Sequence, residues 1–205
     1  IADDGQWRFP QNDSIPEKFS IAIQTFEDKR FKKHFGVDIL ALARAIKQNI
    51  SQKKIVSGGS TLTMQVIRLS RKGKNRTVFE KIVEIILATR LELSNTKNEI
   101  LSLYASNAPF GGNVVGIDAA SWRYFGTKAE NLSWAESCML AVLPNSPALI
   151  HPGKNRDELL EKRNNLLKKL FENQVIDKQT YELAIEETIP DKPVAFPEYA
   201  PHLLS

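Results

Sequence analysis

Two adjacent carboxylates, Glu27 and Asp28, stand in the stretch Thr25-Phe-Glu-Asp-Lys-Arg-Phe-Lys-Lys-His-Phe-Gly-Val-Asp38, among four basic side chains, a histidine and three phenylalanines. A carboxylate placed beside a hydroxyl nucleophile can take its proton as the new bond forms, which is the work of a general base. The mixture suits neither ordinary helical face, because a solvated charged face needs no aromatic rings and a core stripe carries little charge. A routine surface ion pair one turn away is the competing explanation for Glu27. Glu84, set among Val83, Ile85 and Ile86 with Lys81 three residues before it, reads either as a plain i,i+3 pair or as a carboxylate drawn into a cleft beside a cation. His34 fits a structural role better than a catalytic one. The three histidines, His34, His151 and His202, lack the HExxH spacing, so no histidine-based metal site is expected.

Between the two acids runs Gly58-Gly-Ser-Thr-Leu-Thr-Met-Gln65. Its glycines, the hydroxyls of Ser60 and Thr61, and a helix beginning directly after them make a candidate anion cradle, since free amides at a helix N-terminus attract negative charge. It is not a P-loop, for no GK[ST] follows the glycines and no strand precedes them. Gln65, Arg68, Arg71, Lys72, Arg76 and Lys81 come next. Cations behind a glycine loop suit a diphosphate, and a solvated basic face accounts for them equally well.

The elements that must position these groups read as helices throughout. Ser14 is placed to cap a first helix with Pro16 and Glu17 in its first turn, which leaves Glu27 and Asp28 at the C-terminal end, where the helix dipole disfavours carboxylates. A residue that breaks a local rule is where function or strain should be sought. Asp38 caps a second helix towards Gln52, and further helices are expected at about 61–71 and 77–93. Thr96 with Glu99 and Ser133 with Glu136 form capping boxes for two more. Others follow at about 116–125, stopped by Gly126, and at 156–173 and 178–187. Residues 1–13 form an extended lead-in, and the proline-rich residues 190–205 read as a linker. The expected fold class is all-α.

Composition narrows the class without choosing it. The 205 residues are 42% hydrophobic and 25% charged, enough for one large domain or two lobes, with a formal net charge of +4 that mildly favours acidic partners. Cys138 is single, which excludes an internal disulfide and a cysteine zinc site. No apolar run approaches the roughly 20 residues of a membrane span. The start at Ile1, with no leader pattern, suggests a piece of a longer chain whose anchor lies outside it.

Taken together and in order, four runs carry a resemblance: Glu27-Asp-Lys-Arg-Phe-Lys-Lys-His-Phe-Gly36, Gly59-Ser-Thr-Leu-Thr-Met-Gln65, Lys81-Ile-Val-Glu84 and Glu99-Ile-Leu-Ser-Leu-Tyr-Ala-Ser-Asn107. The set resembles glycosyltransferase family 51, the peptidoglycan glycosyltransferases of class A penicillin-binding proteins and their monofunctional relatives. The resemblance implies a lysozyme-like helical head over about residues 14–189, with a smaller membrane-proximal jaw at about 36–75. It implies polymerisation of lipid II with inversion and release of undecaprenyl pyrophosphate, inhibited by moenomycin. Glu27 matches the family's base. Glu84 matches its second acid, expected to hold a Mg2+ or Mn2+ ion at the donor pyrophosphate or to orient the basic groups. Ser60, Thr61, Gln65, Arg68, Arg76 and Lys81 fall on the donor side. Asp28, Phe31, His34 and Gly36 complete the first motif, and Asn107 closes the last run.

The partners so implied are lipid II, the growing glycan, a bacterial membrane surface and other cell-wall synthesis proteins, with no nucleic acid. The implied location is the outer face of the cytoplasmic membrane, with an anchor before this segment and a transpeptidase-like domain after residues 190–205. Three departures from the family pattern stand out: Met64 for a glutamine, Glu80 where a cation usually precedes the lysine, and the small pair Ala105-Ser106. The rivals are a lysozyme-like lytic enzyme, which has no pyrophosphate to bind, and a non-catalytic lipid II or cell-wall scaffold, which has no need of both Glu27 and Glu84. The interleaving of basic residues with carboxylates argues against nucleic acid.

Overall fold

The computed structural model describes residues 6, 15–52, 59–71, 77–111, 113–145, 155–190 and 194. Ser14, the loop residues 53–58, Lys72, Arg76 and most of the expected lead-in and linker lie outside that set. Among the described residues the fold is all-α, and the one β feature is an isolated antiparallel bridge between Pro109 and Val115. The chain divides into two compact units, Gln11–Ala108 on the one hand and Ile1–Pro10 with Pro109–Ser205 on the other.

The first of these contains α1 (Glu17–Glu27), a 3-10 turn at Phe31–Lys33, α2 (Ile39–Gln52), α3 (Leu62–Ser70), α4 (Val78–Ser94) and α5 (Lys97–Asn107). The helix starts follow the chemistry of their caps. Asp38 accepts from the Ala41 amide at 3.0 Å, and the Thr61 and Thr77 hydroxyls accept from Met64 and Glu80. Thr96 and Glu99 form the expected capping box. The first helix departs from expectation. Pro16 itself is the N-cap, with φ −57° and ψ 127° and no side-chain bond, since its ring already fixes the φ that a helix entry needs. α3 packs on both α4 and α5, burying Leu62, Thr63, Met64 and Val66. Gly59 precedes it because a Cβ there would meet the Leu42 Cα of α2 at 2.9 Å.

The other unit contains α6 (Ile117–Phe125), a 3-10 turn at Ala129–Asn131, α7 (Trp134–Val142), a second at Leu143–Asn145, α8 (Arg156–Glu172) and α9 (Lys178–Glu186). Gly126 ends α6 in the left-handed conformation at φ 68°, and Ser133 with Glu136 makes the second expected capping box. α7 is buried from Ala135 to Val142 apart from Glu136, and α8 packs along it. Arg163, buried in α8, donates to the carbonyls of Ile185 and Glu187 at the end of α9. It satisfies acceptors that the helix cannot satisfy itself. Every residue with an expected role that the structure describes lies in the first unit.

Candidate active site

Glu27 ends α1 half-buried, and its carboxylate accepts a hydrogen bond from Gln65 Nε2 at 2.7 Å. Gln65 stands on α3, one turn before Arg68. Three residues' separation puts both side chains on one helix face. Arg68 reaches the second acid: its Nε and Nη2 donate to the two Glu84 oxygens at 2.8 Å each, a bidentate pair. That pairing raises the Arg68 pKa, with the charges of Glu84 and Glu27 adding to it against the effect of burial. The two expected acids are thus tied to the same helix by adjacent side chains.

Ser60 gathers the cations. Its Oγ accepts from Lys81 Nζ at 2.5 Å and from Arg68 Nη2 at 3.2 Å, while Lys81 Nζ lies 3.9 Å from Glu84. A hydroxyl oxygen has two acceptor positions, and on Ser60 each takes one of these cations. Further along, Arg71 Nε and Nη2 donate to both oxygens of Glu80, the second at 3.1 Å. The unusual acid at position 80 therefore matches a cation at the C-cap of α3.

The remaining first-motif residues are buried and bind one another. Asp28, 6% exposed, accepts from His34 Nε2 at 2.9 Å and from the Leu62 amide at 3.1 Å. Thr61 Oγ1 donates to the Gly36 carbonyl at 2.5 Å and accepts from the Met64 amide at 3.2 Å. Phe31 lies edge-on to His34, with ring centroids 6.1 Å apart. The expected cradle is accordingly modified. Part of the N-terminus of α3 is already taken by an anion from this chain, the Asp28 carboxylate, whose partner lies 34 residues away and so leaves no trace in local sequence.

Burial divides the expected residues into two groups. Glu27, Ser60, Gln65, Arg68 and Lys81 are part-exposed, whereas Asp28, Phe31, His34, Gly36, Thr61 and Glu84 are buried. Asn107 is exposed at the end of α5 and donates to the Leu103 carbonyl at 2.9 Å, so its amide caps its own helix. Arg76 lies outside the described residues. Sequence reasoning gave no role to Tyr104. Its fully buried hydroxyl has its pKa raised well above the usual value by burial and by the charge of Glu27.

The expected Mg2+ or Mn2+ ion fits this donor set poorly. Both Glu84 oxygens are held by one guanidinium, and an ion on that carboxylate would have to displace Arg68 from the pair. Among the described residues no group of three or more His, Cys, Asp and Glu is placed to hold a metal.

The sequence as a whole matches a class of glycosyl-transferring domains. The family model described as Transglycosylase matches residues 3–171. Penicillin-binding protein 1C of Escherichia coli is 39% identical over 97% of this chain and 26% of its own length. Penicillin-binding protein 1A of Pseudomonas aeruginosa is 39% identical over 85% of this chain and 21% of its own length. The protein of the same name from Aquifex aeolicus is 36% identical over 86% and 24%. The chain thus spans about a quarter of the length of these relatives. A crystal structure of penicillin-binding protein 1A from Haemophilus influenzae aligns over 66% of this chain and 17% of its own, at 24% identity and a TM-score of 0.46. The chain belongs to the transglycosylase family, the peptidoglycan glycosyltransferase domains of class A penicillin-binding proteins.

Proposed function

We propose that this domain polymerises lipid II, with Glu27 as the general base and the Ser60–Arg68–Lys81 group receiving the donor's pyrophosphate. The observation that carries the proposal is the placement of Gln65 and Arg68 on adjacent turns of α3, one holding Glu27 and the other Glu84. In the reaction the acceptor's sugar hydroxyl attacks the donor's anomeric carbon from the face opposite the leaving group. Glu27 takes the hydroxyl proton as the bond forms, and the bond to the pyrophosphate breaks with inversion. Negative charge then develops on the departing diphosphate. Cations already fixed by Glu84 and Ser60 meet that charge without reorganising, which is how preorganised groups lower a barrier. Glu84 acts by aiming Arg68.

A membrane surface is the natural setting for a lipid-linked substrate. Among the described residues no helix is long and apolar enough to cross a membrane, and α2, within the stretch expected to form a jaw, carries the surface that suits one. There Ile39, Leu40 and Ile50 are 61–74% exposed, on a helix that also exposes Arg44 and Lys47. Apolar side chains flanked by cations suit an anionic lipid surface, where each basic residue contributes about 1 kcal/mol. Anchoring at the outer face of the cytoplasmic membrane, and contacts with other cell-wall synthesis proteins, belong to the same proposal.

The deciding assay supplies labelled lipid II to the full chain and separates polymer from monomer. Polymer formation blocked by moenomycin is the expected outcome. Release of soluble fragments from polymeric peptidoglycan instead marks a lytic enzyme, and lipid II binding without polymer marks a scaffold. Glu80→Gln supplies a finer test. Removing the Glu80 charge from Arg71 should tighten binding of a pyrophosphate-bearing lipid analogue by about two- to fivefold, the upper part of the surface-pair range, since both side chains are only part-exposed. Unchanged or weaker competition in the variant places Arg71 outside the donor site.

A further inference from the structure

Two charges sit at the unfavourable ends of their helices. Glu92 lies in the last turn of α4 and Lys97 in the first turn of α5, each beside a dipole end of its own sign. Such a double violation is tolerated where tertiary contacts decide. Lys97 Nζ donates at 2.7 Å to Glu92 Oε1 and at 2.7 Å to the main-chain carbonyl of His34. The same ammonium lies 4.3 Å from the centroid of the Phe31 ring, within cation–π range. The Glu92 side chain, 3% exposed, also accepts from Thr63 Oγ1 at 2.5 Å.

These contacts join three segments. Thr63 belongs to the first turn of α3, the helix that carries Gln65 and Arg68. Phe31 and His34 belong to the loop that follows Glu27, and His34 holds Asp28. Glu92 and Lys97 flank the turn between α4 and α5. We propose that Lys97 and Glu92 are positioning residues for glycosyl transfer: their ion pair fixes the spacing between the loop that follows Glu27 and α3, and so the aim of the base. The proposal rests on the reading of Glu27 as that base. Neither residue touches the substrate; they act through the His34 carbonyl, the Phe31 ring and the Thr63 hydroxyl. A misplacement of about 1 Å at a reacting group costs on the order of 100-fold in rate, so a clamp of this kind is read in kcat.

The test uses the full chain and steady-state kinetics with lipid II. Lys97→Met keeps the aliphatic stem and removes the three contacts of the ammonium. It should lower kcat by about 10- to 100-fold, with KM held within about threefold. Lys97→Arg, which can still donate to both Glu92 and His34, should recover most of that loss. Glu92→Gln and Thr63→Val weaken the same link from its other end and should lower kcat in the same pattern, which keeps the proposal testable if Lys97→Met fails to fold. Thermal melts run alongside separate loss of folded protein from loss of aim. Wild-type kcat in folded Lys97→Met, a rise confined to KM, or an arginine variant no better than methionine overturns the proposal. An inactive wild type, or full activity in Glu27→Gln, removes the assignment of the base instead, so the two failures are distinguishable.

Discussion

Replacing Glu27 by glutamine is expected to lower glycan polymerisation by about 10²- to 10⁴-fold, the usual contribution of a general base. Binding of lipid II should change little. Glutamine keeps the size of the side chain and an oxygen to accept from Gln65 Nε2, which lies 2.7 Å from the carboxylate. What it loses is the ability to take a proton. The acceptor hydroxyl is then a poor nucleophile, whereas the pyrophosphate group of Ser60, Arg68 and Lys81 is untouched. Single-turnover polymerisation and equilibrium binding, measured on the same preparation, separate the two quantities. A variant that binds lipid II tenfold more weakly and turns it over normally assigns Glu27 to binding rather than to chemistry.

Gly36→Ala is expected to reduce stability by about 2–5 kcal/mol, combining overpacking with left-handed backbone strain. Gly36 has φ +79°, and a Cβ built there would stand 2.7 Å from the Ala88 carbonyl carbon and 2.8 Å from both the Ala88 oxygen and the Thr89 nitrogen. Those are main-chain atoms in α4, which cannot rotate aside as a side chain can. Nor can the loop simply retreat, because the Gly36 carbonyl accepts from the Thr61 cap of α3. Gly126→Ala is the matching control. It too has a positive φ, +68°, but its added Cβ would meet only Val194 methyl groups at 3.6 and 3.7 Å. Urea melts should show a much larger drop in midpoint for position 36 than for position 126, with the slopes unchanged. Equal midpoints mean that the close approach to α4 is not what excludes a side chain at position 36.

Local features of this fold were legible in the sequence, and nonlocal ones were not. Helix starts at Asp38, Thr61, Thr77, Thr96 and Ser133 could be read because a cap and its target amide lie within one turn. The misfit of Glu27 at the end of α1 was legible for the same reason: the helix dipole is a local property. The occupant of the α3 N-terminus was not, since the Asp28 carboxylate arrives from another element. Glu80 stood out as a departure from the family pattern, yet its partner Arg71 is chosen by the packing of α3 against α4. Lys97 and Glu92 did carry a signal, two charges at the wrong helix ends, that the motif runs alone did not include.

The central claim is that one face of α3 divides the labour, with Gln65 holding the base and Arg68 standing on the leaving-group side. A crystal structure of the full chain with a non-reactive lipid II analogue tests it most directly. The expected result has diphosphate oxygens on Ser60, Arg68 and Lys81, with an acceptor hydroxyl about 2.6–3.2 Å from the Glu27 carboxylate. A diphosphate seated away from those three residues, or an acceptor hydroxyl beyond the reach of Glu27 even through one water, contradicts it.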